Sequence, residues 1–165
     1  MTHKSFFMYS QPILRQLGFE KSKKGAWYKT MILGIHHLGI AVKNIEEATK
    51  RYVNTFGIPA GEIHHVPERG MRAVLLDVGD SKLELIEYSG KEGTPPPVTE
   101  NQGERITHIC FVVDDIKKDL ASLSAKGVPL RDKVPRQGIT GIVAFLLPEA
   151  MHGVSIEFVE KASAL

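Results

Sequence analysis

At 165 residues, 42% of them hydrophobic, the chain is long enough for one ordinary globular domain with a sizeable core. Its single cysteine, Cys110, excludes a disulfide framework and fits a reducing compartment. No apolar run approaches the length of a bilayer span, so a soluble, cytoplasmic protein is expected. The net charge of +2 hides an asymmetry: residues 1–30 set six basic side chains against Glu20, a net of +5, and the remainder sets 15 basic against 18 acidic, a net of −3. That mildly acidic body lacks the broad basic surface nucleic acid requires, and nucleic-acid binding is set aside.

Residues 1–31 read as an N-terminal extension, a loosely held arm with a weak amphipathic pattern at Phe6, Phe7, Ile13, Leu14 and Leu17. Transit peptides are usually richer in arginine; were it one, the destination would be the mitochondrial matrix. From Ile32 to Val42 the alternation is that of a strand, with Leu38, Ile40 and Val42 on one face and His37, Gly39 and Ala41 on the other. Asn44 with Glu47 opens a helix and Gly57 closes it after Phe56. A short strand near Glu62 to Val66, a turn through Gly70, and strands Met71–Val78 and Lys82–Tyr88 about the Gly79-Asp80 turn complete a βαβββ order.

Residues 89–104, with three prolines at 95–97 and glycines at 90, 93 and 103, form a linker. The same plan then recurs. A strand covers Thr107–Val113 and a helix Asp115–Ala125, ended by Gly127; strands follow at about Pro129–Lys133, Gly141–Leu147 and Gly153–Val159. Residues 161–165 are a tail.

The recurrence is a duplication. Ile35, His37 and Val42 match Ile106, His108 and Val113 at a spacing of 71. Val66-Pro67-Glu68-Arg69-Gly70 answers Val134-Pro135-Arg136-Gln137-Gly138 at 68, and Glu84 answers Glu157 at 73. The expected fold is therefore α+β: one domain over 32–160, in which two tandem βαβββ modules (32–88 and 105–160) form a curled mixed sheet around a central metal site.

Histidine on a strand is usually a hydrogen-bonded core or rim residue, and glutamate between leucines usually faces solvent. His36, His64, His65 and His152 lack repeat partners and keep that reading. Two histidines and two glutamates at repeat-equivalent positions are different, because a core has no use for imidazole and carboxylate at the same places. His37, Glu84, His108 and Glu157 are the expected ligands of one divalent ion. The mixed donors suit cobalt, nickel, manganese or zinc.

The segments His-Leu-Gly-Ile-Ala-Val (37–42), Leu-Glu-Leu-Ile (83–86), Thr-His-Ile-Cys-Phe-Val-Val-Asp-Asp-Ile (107–116) and Gly-Val-Ser-Ile-Glu-Phe-Val (153–159) resemble the vicinal oxygen chelate superfamily. Within it, Val-Pro-Glu-Arg-Gly-Met (66–71) and Val-Ala-Phe-Leu-Leu-Pro (143–148) resemble the methylmalonyl-CoA epimerase branch. The resemblance covers about residues 32–160, and the family's metal positions fall on His37, Glu84, His108 and Glu157. It implies interconversion of the two epimers of an acyl-CoA thioester through a metal-stabilised enolate, and a homodimer. Glu157 would be one base and Glu84 the other, since the position where some members carry glutamate is Ala73.

Three loops depart from the epimerase pattern: Gly93-Thr94-Pro95-Pro96-Pro97, Gly138-Ile139-Thr140-Gly141, and Leu147 where a histidine often stands. They bear on the substrate more than on the fold. A lactoylglutathione lyase, or a non-catalytic small-molecule binder of the same superfamily, is the competing reading.

Overall fold

The computed structural model describes residues 11–16, 19–21, 27–29, 31–101 and 103–160. Within the N-terminal extension, α1 (Gln11–Gln16) precedes a two-stranded antiparallel sheet of β1 (Phe19–Lys21) and β2 (Trp27–Lys29), and Leu14 is buried. The rest of the expected arm, and the tail, lie outside the described residues.

The main sheet has eight strands. The first half supplies β3 (Ile32–Ala41), β4 (His64–Val66), β5 (Met71–Val78) and β6 (Ser81–Tyr88), with α2 (Ile45–Phe56) after β3. The second supplies β7 (Arg105–Val113), β8 (Arg136–Gln137), β9 (Ile142–Phe145) and β10 (Ser155–Glu160), with α3 (Ile116–Ala125) after β7. Their order is β4-β5-β6-β3-β7-β10-β9-β8. β3 pairs β7 antiparallel at the centre, and each lies parallel to the closing strand of its own half. Reversing the order exchanges the halves, as a duplication requires. The sheet curls into a half-barrel, matching the expected α+β fold.

Alternation along the strands separates core from site. Leu83 and Leu85 pack toward α2, in a cluster built on Val42, Ile45, Val74 and Leu76; Ile156 and Phe158 pack toward α3, in a cluster with Ile116, Leu120 and Leu146. Both helices thus cover the outer face, and the odd-numbered positions of β3, from His37 to Ala41, turn to the concave face.

The helix starts follow from the sequence. Asn44 Oδ1 accepts from the Glu47 N–H and Asp115 Oδ1 from the Lys118 N–H, each at 2.9 Å. Each helix gains a second anchor that the local sequence does not announce: Glu87 accepts from the Ile45 N–H at 2.8 Å and Glu160 from the Ile116 N–H at 3.0 Å. Such bonds satisfy orphan amides of the first turn and contribute about 1 kcal/mol each.

One element is displaced. The strand expected at Pro129–Lys133 is reduced to a bridge between Leu130 and Leu146, and pairing resumes only at β8. The Arg131 and Asp132 amides both donate to the Phe145 carbonyl, at 3.0 and 3.1 Å, which turns the chain out of the ladder. Pro135, with no N–H, delays its return.

Candidate metal centre

The four middle strands, β6-β3-β7-β10, each place one expected ligand on the concave face. In one row of the sheet Glu84 and His108 flank Gly39; in the next, His37 and Glu157 flank Cys110. Gly39 and Cys110 are themselves repeat equivalents, and a small residue between each pair lets the long side chains lean together. His37 Nε2 lies 2.9 Å from His108 Nε2, 3.0 Å from Glu157 Oε2 and 3.4 Å from Glu84 Oε2. His108 Nε2 lies 3.1 Å from Glu157 Oε2 and 3.5 Å from Glu84 Oε2.

Among the described residues these are the four buried polar or charged side chains, none more than 7% exposed. Burying four such groups is costly unless something pairs them. A divalent ion meets that need. Donors 2.1 Å from one ion are about 3.0 Å apart at right angles and about 3.4 Å at the tetrahedral angle. The five separations above span the same range. His37, Glu84 and His108 offer donor atoms within 4.8 Å of one another, and Glu157 lies within 3.1 Å of both imidazoles, so mixed nitrogen and oxygen donors for a first-row cation stand together here.

The other ring nitrogens are held from outside. Thr107 donates its hydroxyl to the Gly39 carbonyl at 3.1 Å, which leaves Oγ1 to accept from His108 Nδ1–H at 3.0 Å. The Nε2 lone pair of His108 is then directed inward. His36 Nδ1 lies 2.8 Å from His37 Nδ1 and serves as acceptor for that ring. Burial, then the charge of His37, holds His36 below the ordinary histidine range, in the neutral form an acceptor needs. His36 is thus more than the plain core or rim histidine its sequence position suggests. Its repeat mate is Thr107, and the shared role is hidden in the sequence because the two residue types differ. Replacing Thr107 with valine is expected to weaken metal binding about tenfold, with folding intact, by competition against a chelator.

Without metal, the cluster becomes an ion pair. Burial disfavours charge on His37, but hydrogen bonds to Glu157 and Glu84 outweigh it and carry the imidazole up to about 9. Burial likewise opposes charge on Glu157, and the two imidazoles overcome it to hold the carboxyl at about 2. A raised histidine stabilises the metal-free fold fully below its unfolded value, and that contribution is lost as pH rises through about 9. Metal uptake must expel the proton, so apparent affinity should rise roughly tenfold per pH unit from neutrality and level off above about 9. Metal titration across that range, with proton release followed by indicator dye, checks it. Cys110, with His36 and His37, makes a second cluster of donor atoms. Burial first, and Glu157 second, push its thiol well above the range where it would ionise, so it is a packing residue.

The centre forms one wall of a cavity of about 700 Å³. Gly93, Thr94 and Pro95 of the linker and Ile139 and Thr140 of the β8–β9 loop also line it, so two of the three departing loops do shape the cavity. Glu68 lines it as well. Nothing in the repeat marks that residue, because arginine, Arg136, stands at its equivalent position. His64, His65 and His152 are exposed and are not among the residues that line the cavity.

The sequence profile of the Glyoxalase/Bleomycin resistance protein/Dioxygenase superfamily matches residues 36–145. The mitochondrial methylmalonyl-CoA epimerase of Dictyostelium discoideum is 33% identical over 129 residues, 77% of this chain and 78% of that protein. The ethylmalonyl-CoA/methylmalonyl-CoA epimerase of Cereibacter sphaeroides is 32% identical over 131 residues, 77% of this chain and 97% of that one. A variant of the Streptomyces coelicolor methylmalonyl-CoA epimerase, solved in complex with 2-nitronate-propionyl-CoA, superposes with a TM-score of 0.71 at 30% identity, covering 80% of this chain and 99% of that one. Among the described residues no helix is long and apolar enough to cross a membrane.

Proposed function

Because the chain belongs to the Glyoxalase/Bleomycin resistance protein/Dioxygenase superfamily, we propose that it is a metal-dependent epimerase acting on methylmalonyl-CoA or a similar 2-substituted acyl-CoA. The observation that carries this reading is the buried quartet of two imidazoles and two carboxylates on the wall of a cavity. Relatives named as methylmalonyl-CoA epimerases, about 30% identical, support it.

His37, Glu84, His108 and Glu157 hold the ion. When bound, it supplies Lewis acidity that stabilises negative charge on the substrate's oxygens. The protein's own groups move the proton. Epimerisation breaks a C–H bond beside the thioester carbonyl, its proton passing to a base on that face. A new C–H bond forms on the opposite face of the enolate with a proton given by a second, protonated group, which asks for one acid–base group on each side. Glu157, held ionised at neutral pH by the histidines, takes the proton on one face. Glu84 serves the other, since Ala73 offers no titratable group. Glu68 competes for that second role, because it lines the same cavity and is not one of the four clustered ligands.

The direct test follows solvent deuterium into methylmalonyl-CoA on the metal-loaded protein, beside turnover of a glutathione hemithioacetal. Deuterium uptake with epimerisation is the expected result. Turnover of the hemithioacetal alone would replace this reading with a lactoylglutathione lyase. Purified protein that takes up no stoichiometric metal would leave a binding protein.

A further inference from the structure

The cavity carries more positive charge than holding a metal requires. Four arginines line it: Arg69, Arg105, Arg131 and Arg136. Two of them are organised around one ring. The guanidinium carbons of Arg131 and Arg136 lie 5.5 and 5.4 Å from the centroid of Phe145, and that ring packs edge-on against His108 at 5.6 Å. Stacking on an aromatic ring fixes a guanidinium plane and so aims its donors. Arg69 arrives from the opposite half. Its Nη2 donates to the Gln137 carbonyl, which joins the turn at 67–70 to its repeat counterpart at 135–138.

The balancing acids are few. Asp132 lies 3.4 Å from Arg136 Nε, and its Oδ2 is shared with the Phe145 amide. Glu84 and Glu157 belong to the ligand cluster, which leaves Glu68 as the other acid on the cavity wall. Arg136 Nη1 is buried with no hydrogen-bond partner, a state that proteins seldom tolerate. Burial, then the neighbouring charge of Arg136, pulls Arg69 below the ordinary arginine range, a sign that the two guanidiniums crowd each other. Like charges held together beside an unsatisfied donor are what an oxyanion would relieve, because guanidinium forks match carboxylate and phosphate geometry.

We propose that Arg69, Arg131 and Arg136 form an oxyanion subsite, one aromatic ring removed from the metal ligand His108, which receives a carboxylate or phosphate of the bound thioester. The assignment rests on the acyl-thioester reading given above. A molecule engaging the metal at one end meets this subsite at the other, so the arginines select thioesters that carry a second negative group.

Calorimetric titration of the metal-loaded protein tests it with four probes: coenzyme A, malonyl-pantetheine, acetyl-pantetheine and inorganic phosphate. In Arg136→Gln and Arg69→Gln, affinity for an anionic probe is expected to fall roughly tenfold or more, while acetyl-pantetheine is unaffected. Loss confined to malonyl-pantetheine identifies the acyl carboxylate, and loss confined to coenzyme A identifies the phosphates. Unchanged affinities in both variants overturn the subsite, as does an equal loss for all probes. Should Arg136→Gln fail to fold, Arg69→Gln decides alone. If the wild type binds none of the three pantetheine-containing probes, the thioester reading fails by itself. The subsite then stands only if the wild type binds phosphate and the variants do not.

Discussion

Replacing Glu157 with glutamine is expected to lower turnover by about three orders of magnitude, the range a positioned base supplies. Glutamine keeps the length and one oxygen but cannot take a proton. It also removes the anion facing His37 at 3.0 Å and His108 at 3.1 Å, so the ion should be held less tightly, and metal must be kept in excess to separate the two losses. Glu84→Gln and Glu68→Gln then decide which acid is the second base. If Glu84 is the opposing base, its variant loses turnover at saturating metal and Glu68→Gln is nearly silent; if Glu68 is, the order reverses and Glu84→Gln shows mainly weakened metal binding. Full activity in Glu157→Gln at saturating metal would remove it from proton transfer altogether.

The second large effect comes from a residue with no functional group. A Cβ on Gly39 would lie 2.0 Å from Cε1 of His108 and 2.2 Å from its Nδ1. The obstruction is a side-chain ring rather than backbone, so the ring swings away while the strand stays. Gly39→Ala is therefore expected to fold, with a circular dichroism spectrum like that of the parent, yet to lose metal affinity by more than the about hundredfold that removing an outer partner reaches. Retained stoichiometric metal would show that His108 is not a ligand. Gross unfolding would show that Gly39 matters to the sheet instead.

Much of this is legible in the chain because duplication writes the same instruction twice. His37 and Glu84 would each pass singly for ordinary strand residues; their echoes at His108 and Glu157 mark them, and the structure brings all four together. Helix limits are legible too, since Asn44 and Asp115 cap as their side chains predict. What escapes is whatever the two halves do differently. His36 and Thr107 hold the same ring nitrogen with different chemistry, and Glu68 faces an arginine at its equivalent place. The β8 displacement escapes because local alternation cannot register a carbonyl shared by two amides. Arg131 precedes β8 and Arg136 opens it, and only folding brings both to the ring of Phe145 on β9.

The closing strands carry a further consequence. Glu84 and Glu87 lie three residues apart on β6, and so do Glu157 and Glu160 on β10; an odd offset sends them to opposite sides of the sheet. One acid of each couple reaches the ion site while the other grips the first turn of α2 or α3. The helix starts and the candidate ion site therefore depend on the same two short strand segments. A change on the outer surface that loosens a helix start will detune the centre from behind, without altering any group that touches substrate.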